Sequence, residues 1–325
     1  MSRTVVLLLG LACTALIAGG VALMVGSLPL APLRVLAALL GQGDDLARQV
    51  IWTVRMPRAL AAFAVGGLLA VAGALMQVML RNPLADPYVL GVSGGAAVAA
   101  LLGLMSGLGA QQLALPAFIG ALGSTVLVFG LARGAGGANA SRLLLSGVGL
   151  AAGWGALVSF LLAIADPTRL PGMLFWLMGD LGAVARPPWL ALAVLVLLAL
   201  AALPLGRSLN VLARGSLQAQ ALGVAVGKLQ PLVYVLAALA TALAVTVGGT
   251  VGFVGLVVPH LLRLVMGNDQ RVLIPAAALT GGVLLMLADT LARTLIAPQQ
   301  LPVGVVTALL GVPVFLYLLN RRGSP

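Results

Sequence analysis

Long apolar stretches without a single charged residue dominate this chain. One such stretch extends from Thr4 to Leu33, another from Ala59 to Leu80, and a third from Leu229 to Leu262. A helix of about 20 apolar residues is long enough to cross the hydrocarbon core of a bilayer. Charged residues make up only 8% of the sequence, whereas ordinary soluble domains contain about 25%. The sequence therefore predicts an all-α polytopic membrane protein.

The breaks between these stretches predict about ten transmembrane helices. The Thr4–Leu33 run is too long for a signal peptide and is interpreted as a retained first span. Residues 34–58 are expected to form an external connection, and the apolar piece 170–179 is too short to cross. A break at 107–112 separates the third span from the fourth. The other spans are expected at about 59–80, 143–165, 187–206, 231–248, 252–267, 272–292 and 301–319.

The distribution of positive charge predicts the orientation. With the N-terminus inside, eleven Lys and Arg residues lie on the inner side and seven on the outer side. Cytoplasmic loops normally carry this excess, so both termini are predicted to be cytoplasmic. Residues 1–325 are expected to form a single transmembrane domain, and residues 207–228 form its longest cytoplasmic loop.

The composition argues against several other functions. The net charge of +11 is not gathered into a basic cluster with interleaved aromatic residues, so no nucleic-acid partner is expected. One Cys, one His and no Glu leave no zinc cluster or multi-His metal site and few groups for catalysis. The segment from Gly223 to Lys228 is one residue short of a phosphate-binding loop, and Leu229 replaces its Ser or Thr. The chain is therefore not expected to be an enzyme or to bind ATP itself.

Several motifs together resemble a known family. The N-terminal motifs are Arg-Met-Pro-Arg at 55–58, Arg-Asn-Pro-Leu-Ala-Asp-Pro at 81–87 and Leu-Gly-Val-Ser-Gly-Gly at 90–95. The C-terminal ones are Gly252 to His260 with Arg263, Asp289 with Arg293, and the 301–304 and 311–313 segments. From residue 50 onward the chain resembles the permease subunits of binding-protein-dependent ABC importers for iron-siderophore complexes, haem and cobalamin.

The resemblance implies an assembly and a function. It implies a ten-helix protomer, a homodimer around a central pathway, two cytoplasmic ATPase subunits that bind ATP and Mg²⁺, and a periplasmic substrate-binding protein. The chain itself would bind no cofactor and would lie in the bacterial inner membrane among its lipids. The expected cargo is a large iron chelate, haem or a ferric siderophore. The alternatives are cobalamin import by the same architecture and an ion-coupled secondary transporter.

The resemblance also assigns residues to the two faces of the membrane. At the outer face, Arg55, Arg58 and Arg293 are expected to receive carboxylates of the binding protein; the alternative is that they anchor helix ends in lipid headgroups. Arg293 and Asp289, four residues apart, are also able to pair with each other. At the cytoplasmic gate the assigned residues are Asn82, Leu84, Ala140 and Ser141. The alternative for Asn82 and Pro83 is a simple helix-terminating turn.

The loop 207–228 resembles the coupling helices on which the ATPases dock. An apolar contact is expected there, flanked by two cations; its residues are Arg214, Leu217, Ala221, Leu222, Gly223, Val224 and Lys228. The alternative is an ordinary basic loop. His260 is interpreted as structural. The GxxxG pairs Gly91/Gly95, Gly149/Gly153 and Gly248/Gly252 are expected to support close helix packing; the alternative is that they line the pore.

Overall fold

The computed structural model describes residues 3–132 and 140–321, which are almost entirely helical. Residues 50–55 form a π-helical turn, and residues 87–90 and 110–112 form short 3₁₀ turns. The α-helices of the described residues are α1 Arg3–Met24, α2 Pro32–Leu39, α3 Asp45–Gln49, α4 Met56–Met79, α5 Val92–Met105, α6 Ala114–Ala132, α7 Ala140–Ile164, α8 Leu170–Leu177, α9 Trp189–Leu212, α10 Ser216–Ala221, α11 Val226–Gly248, α12 Val254–Met266, α13 Gln270–Ala292 and α14 Val303–Arg321.

The predicted fold class is confirmed at the level of a polytopic helical membrane protein. Seven helical segments of the described chain are long and apolar enough to cross a membrane, and three shorter apolar helices accompany them, α5, α12 and α14. Together they lie where the ten spans are expected. The number of crossings and the cytoplasmic position of both termini stay predictions.

The expected boundaries of the first connection are wrong. Helix α1 ends at Met24, and the apolar sequence continues through a bend to Pro32, which begins α2. Pro29 and Pro32 each lack a backbone N–H donor, so a continuous helix through this segment would lose hydrogen bonds. Within residues 34–58, α3 and the π-helical turn lead directly into α4, and the external position of this connection stays a prediction. The resulting helical segment, Asp45–Met79, is 35 residues long.

Helix α4 is the central element of the bundle and is buried on nearly all sides. It packs against α9, α11, α12 and α13. Glycines permit the closest of these contacts. A Cβ atom on Gly66 would lie 2.1 Å from the carbonyl oxygen of Gly281, and one on Gly73 would lie 1.8 Å from that of Gly255. The absence of side chains at these crossings brings the helix backbones into direct contact.

The GxxxG pairs behave differently from one another. Gly95 packs closely on Gly120, since a Cβ atom on Gly95 would lie 2.4 Å from the Gly120 carbonyl oxygen. A Cβ atom on Gly149 or Gly153 of α7 would meet nothing within 4 Å. The expectation of close packing is therefore wrong for the α7 pair within this chain. Helix α7 exposes most of its surface, and this leaves one of its faces open.

Candidate functional site

A cluster of three arginines lies at the predicted outer end of α4 and α13. We call it the outer arginine cluster: Arg55, Arg58 and Arg293 together with Asp289 and Gln300. Arg58 donates from Nε and Nη2 to the Asp289 carboxylate at 2.9 and 2.8 Å, and from Nη1 to Gln300 Oε1 at 2.7 Å. Both charged side chains of this pair are less than 10% exposed. The pair therefore joins the start of α4 to the end of α13 inside the protein.

The other two arginines of the cluster bind the end of α1. Arg55 is 4% exposed and donates from Nη1 to the carbonyl oxygens of Leu23 and Met24, at 2.6 and 3.0 Å. Arg293 donates from Nη2 to the carbonyl oxygen of Ala22. These carbonyl groups have no partner within the helix because they belong to its last turn. The arginines thus cap α1 and fix it against α4 and α13.

The ion pair of Asp289 with Arg293 expected from their spacing is present, but it is not the shortest contact of the carboxylate. Arg293 Nε lies 3.8 Å from Asp289 Oδ2, close enough for charge attraction but without a hydrogen bond. The carboxylate instead makes its short hydrogen bonds with Arg58. Docking of a binding protein on the outer arginine cluster stays a prediction. It requires partner carboxylates to reach guanidinium groups that already bind groups within the chain.

The predicted gate turn, residues 81–86, lies at the other end of α4. Arg81 follows the helix with a positive φ of 51°, which is uncommon for a residue other than glycine. The Oδ1 of Asn82 accepts from the backbone N–H of Leu84 at 3.0 Å. This is the helix-terminating turn expected from Asn-Pro. The gate role of Asn82 and Leu84 stays a prediction. Ala140 and Ser141 begin α7, and their side chains lie outside the described residues.

Asp86 fixes the far side of the gate turn. Its Oδ1 accepts from the backbone N–H of Tyr88 at 2.7 Å, and the Tyr88 hydroxyl accepts from the N–H of Val251 at 3.0 Å. Burial raises the pKa of the Asp86 carboxyl to about 6, although the hydrogen bond from Tyr88 acts in the opposite direction. The turn therefore holds a carboxyl group that ionises near neutral pH.

Gln77 is a functional candidate that the sequence interpretation missed. It is 3% exposed within α4. Its Nε2 lies 3.1 to 3.4 Å from the carbonyl oxygens of Ala85, Gly255 and Leu256, and its Oε1 accepts from Arg263. The signal in the sequence is a single amide inside an otherwise apolar segment. Gln77 connects α4 to the gate turn and to α12, which also carries the buried His260.

The predicted coupling loop contains a short helix, α10, with an exposed apolar edge. Leu217 is 80% exposed and Leu222 is 68% exposed. Ala221, Gly223, Lys228 and Arg214 are also exposed, whereas Val224 is half-buried against the core. Gly223 has a φ of +81°, a conformation that side chains disfavour. Six of the seven predicted docking residues are therefore exposed, and docking itself stays a prediction.

A polar cavity of about 490 Å³ lies between the gate turn and the coupling loop. We call it the inner basic pocket; the polar residues that line it are Gln77, Arg81, Asn210, Arg214, Arg263, Asn268, Asp269 and Gln270. Asp269 accepts from Arg271 at 2.7 Å and from Asn210 at 2.9 Å. Because Arg271 donates to it, the pKa of the Asp269 carboxyl lies well below its usual range. The one carboxylate of the pocket is therefore already engaged.

Comparison with known proteins gives a consistent result. The model of the FecCD transport family matches residues 12–321. A hemin transport system permease of Yersinia pestis is 44% identical over 283 residues, which cover 84% of each chain. A vitamin B12 import system permease of Serratia proteamaculans is 42% identical over 285 residues, 86% of this chain and 84% of that one.

A solved structure resembles the fold closely. The inward-facing conformation of a metal-chelate type ABC transporter superimposes with a TM-score of 0.84 at 33% identity, over 97% of this chain and 98% of that chain.

Proposed function

This chain belongs to the FecCD transport family, and we propose that it carries an iron complex, haem or a ferric siderophore, from the periplasm to the cytoplasm of a bacterium. It is a multi-pass membrane protein and the permease of an ABC importer for haem, cobalamin or another metal chelate. It is a transport subunit and not an enzyme. Hydrolysis of ATP with Mg²⁺ belongs to two separate ATPase subunits.

The observation that supports coupling to an ATPase is the exposed apolar edge at α10. Leu217 lies in the six-residue helix α10 and Leu222 directly follows it, and both side chains are mostly exposed. A contiguous exposed apolar patch outside the bilayer marks a surface that binds a partner, and the loop that carries these leucines is predicted to be cytoplasmic. An ATPase that binds here would hold a helix directly beside the gate turn, so its movement on ATP binding would reach the gate.

The open face of α7 supports a homodimer. Gly149 and Gly153 lie one turn apart with no neighbouring atom within 4 Å of an added Cβ. Small residues allow two helices in a membrane to approach closely. We infer that α7 contacts its copy across a two-fold axis or lines the central pathway beside that contact. The predicted gate residues Ala140 and Ser141 begin the same helix.

Cobalamin is the second candidate cargo. The vitamin B12 permease of Serratia proteamaculans is almost as similar to this chain as the hemin permease is, 42% against 44% identity. The two chelates differ greatly in shape, and the cognate binding protein selects between them. A secondary transporter is no longer an alternative, since family membership places the chain among ABC permeases.

The cargo is tested by uptake into cells. A strain without the gene receives ⁵⁵Fe-haem, a ⁵⁵Fe-siderophore or ⁵⁷Co-cobalamin, with and without the wild-type permease. We expect the permease to restore uptake of one iron complex. The double variant Leu217→Asp, Leu222→Asp should insert in the membrane but restore nothing, because it cannot bind the ATPase. Restoration of cobalamin uptake alone would replace iron by the second candidate.

A further inference from the structure

We propose that Trp154 and Ser124 form a relay through which helix α7 and the gate turn move together. The relay consists of two hydrogen bonds that end on the backbone of Gly91, just beyond the gate turn. This inference rests on the proposed function, since it names the residues that join two predicted gate segments of an ATP-driven permease. Trp154 and Ser124 are positioning residues, because they act through the segment that they hold.

The two hydrogen bonds of the relay connect three helices. The indole Nε1 of Trp154 on α7 donates to Ser124 Oγ on α6 at 2.8 Å, and the Ser124 hydroxyl donates to the carbonyl oxygen of Gly91 at 2.7 Å. Ser124 is 1% exposed, and Trp154 is half-buried. A polar group without a partner in apolar surroundings is costly, so each group of the relay stabilises the next. The relay therefore holds Gly91, at the start of α5, against α7.

Gly91 sets the path of the chain from the gate turn into α5. It ends the 3₁₀ turn Pro87–Leu90 and precedes α5, with a φ of 68° that glycine adopts without strain. Its carbonyl oxygen also accepts from the Gly95 N–H at 3.3 Å, so the hydrogen bond from Ser124 is the shorter one. A displacement of this carbonyl group would therefore shift the segment that leads back to the gate turn.

Helix α7 packs on the same segment at two places. A Cβ atom on Gly94 would lie 2.6 Å from Trp154 Cβ, so the missing side chain leaves room for the tryptophan. About two turns earlier on α7, the Gly147 carbonyl oxygen lies 3.7 Å from the position of a Cβ atom on Gly91. Most of the remaining surface of α7 is exposed. A movement of α7 therefore reaches Gly91 directly.

The segment between the gate turn and Gly91 has a second fixed point. The Tyr88 hydroxyl accepts from the N–H of Val251 at 3.0 Å, which ties the 3₁₀ turn to the residues before α12. Helix α7 itself begins at the predicted gate residues Ala140 and Ser141. The relay thus connects the two predicted gate segments, and a movement of α7 would displace the gate turn relative to α12.

Chemical labelling of the gate turn tests the relay. The parent protein is Cys13→Ser, Leu84→Cys, purified with its co-expressed ATPase, and its rate of reaction with a maleimide is measured without nucleotide and with ATP and vanadate. Trp154→Phe keeps an aromatic ring over Gly94 but removes the Nε1–H donor. We expect this variant to fold and to hydrolyse ATP. Its nucleotide-dependent change in labelling rate should be smaller by about threefold or more, because one hydrogen bond of the relay is lost.

Two further variants distinguish the relay from a general effect on α7, and thermal unfolding shows whether each one folds. Ser159→Ala is the matched control: the Ser159 hydroxyl donates to the Gly155 carbonyl oxygen at 3.0 Å within α7, so its loss should leave the response unchanged. Ser124→Ala removes the middle of the relay. Since both hydrogen bonds belong to one chain of contacts, Trp154→Phe, Ser124→Ala should reduce the response no further than Ser124→Ala alone.

Three results would overturn the relay. These are a Trp154→Phe protein with the response of the parent, an equal loss of response in Ser159→Ala, and losses that simply add in the double variant. If one of the single variants Trp154→Phe and Ser124→Ala does not fold, the other decides by comparison with Ser159→Ala. A parent that hydrolyses ATP without any change in labelling would also overturn the relay, whereas a parent that binds no ATPase would overturn the proposed function.

Discussion

Arg58 shows why the outer arginines differ from ordinary charges at the end of a membrane helix. Its guanidinium group is buried, and its partner Asp289 lies 231 residues further along the chain. Two buried charges are tolerated when each satisfies the other with good geometry, and removal of one leaves the other uncompensated. The hydrogen bonds to Asp289 and Gln300 together use all three nitrogen atoms of the Arg58 guanidinium group. This geometry indicates a contribution to stability whether or not a binding protein also uses the residue.

The first prediction separates these two roles of Arg58. We expect Arg58→Ala to lower the free energy of unfolding by about 3–5 kcal/mol, because it leaves the Asp289 carboxylate buried without its main partner. Arg58→Ala, Asp289→Ala should cost less than Arg58→Ala alone. Thermal unfolding of the purified permease without any binding protein measures both, and Arg34→Ala, at an exposed position, is the control. An Arg58→Ala protein of wild-type stability that loses only its binding protein would assign the residue to docking alone.

The second prediction concerns pH and Asp86. Its folded-state pKa of about 6 exceeds the ordinary carboxyl value of about 3.9. The folded state therefore holds the proton more tightly, and stability falls as pH rises from about 4 through 6. Above pH 7 the ionised carboxylate costs about 3 kcal/mol. Asp86→Asn keeps an oxygen that accepts from the Tyr88 N–H but carries no charge.

Unfolding temperatures measured from pH 4 to 8 test this prediction. We expect Asp86→Asn to be more stable than the wild type at pH 7.5 and to lose this advantage near pH 4. A constant difference across the range would mean that Asp86 does not titrate there. Asp166 is a control: it is exposed, and its hydrogen bonds with Thr168 lower the pKa of its carboxyl. Asp166→Asn should give no gain at neutral pH.

At the scale of helices, hydropathy predicted where the bundle elements lie but not how they begin and end. The spans match the positions of the long helices, since an apolar run of bilayer length has few other conformations available. The predicted ends of the helices are wrong where local backbone chemistry determines them. Helix α1 ends at Met24 and a second helix begins at Pro32, although both lie in an uncharged run that composition cannot divide.

Side-chain partners were the other limit of the sequence interpretation. The spacing of Asp289 and Arg293 suggested a local pair, but Arg58 competes for the same carboxylate from a helix that is distant in sequence. Gln77 lies within an apolar run that gives no sign of its partners, yet its Nε2 lies within hydrogen-bond distance of three backbone carbonyl groups. Contacts of this kind depend on which helices pack together, and nothing in one sequence alone specifies that α4 crosses α12 and α13.

The third prediction tests the glycine contacts of α4. Gly66→Ala should lower stability by about 1–3 kcal/mol, because its Cβ atom would lie 2.1 Å from the Gly281 carbonyl oxygen and force α4 and α13 apart. Gly149→Ala on α7 is the matched control, since its Cβ atom would meet nothing within 4 Å. Alanine also favours helix over glycine by up to about 1 kcal/mol. Equal stability of the two variants in thermal unfolding would contradict the packing seen here.

For the whole molecule, α4 connects the two faces. Arg58 lies in its first turn and Gln77 in its last, and a helix of 24 residues spans about 36 Å. The outer arginine cluster fixes one end of this helix to α1 and α13, while Gln77 fixes the other end to the gate turn and α12. A rigid, fully packed helix with polar contacts at both ends can transmit a displacement from one face to the other. Every assignment of a partner to a face depends on the orientation of α4.

The fourth prediction tests that orientation in intact spheroplasts. In a Cys13→Ser background, Arg34→Cys should react with a membrane-impermeant maleimide added outside, since the positive-inside rule places residue 34 on the outer side. Leu217→Cys should react only after the membrane is opened, because the coupling loop is predicted to be cytoplasmic. Both positions are exposed, so a difference in labelling reports the side of the membrane and not burial. The reverse pattern would place α10 and the inner basic pocket outside, beyond the reach of any ATPase.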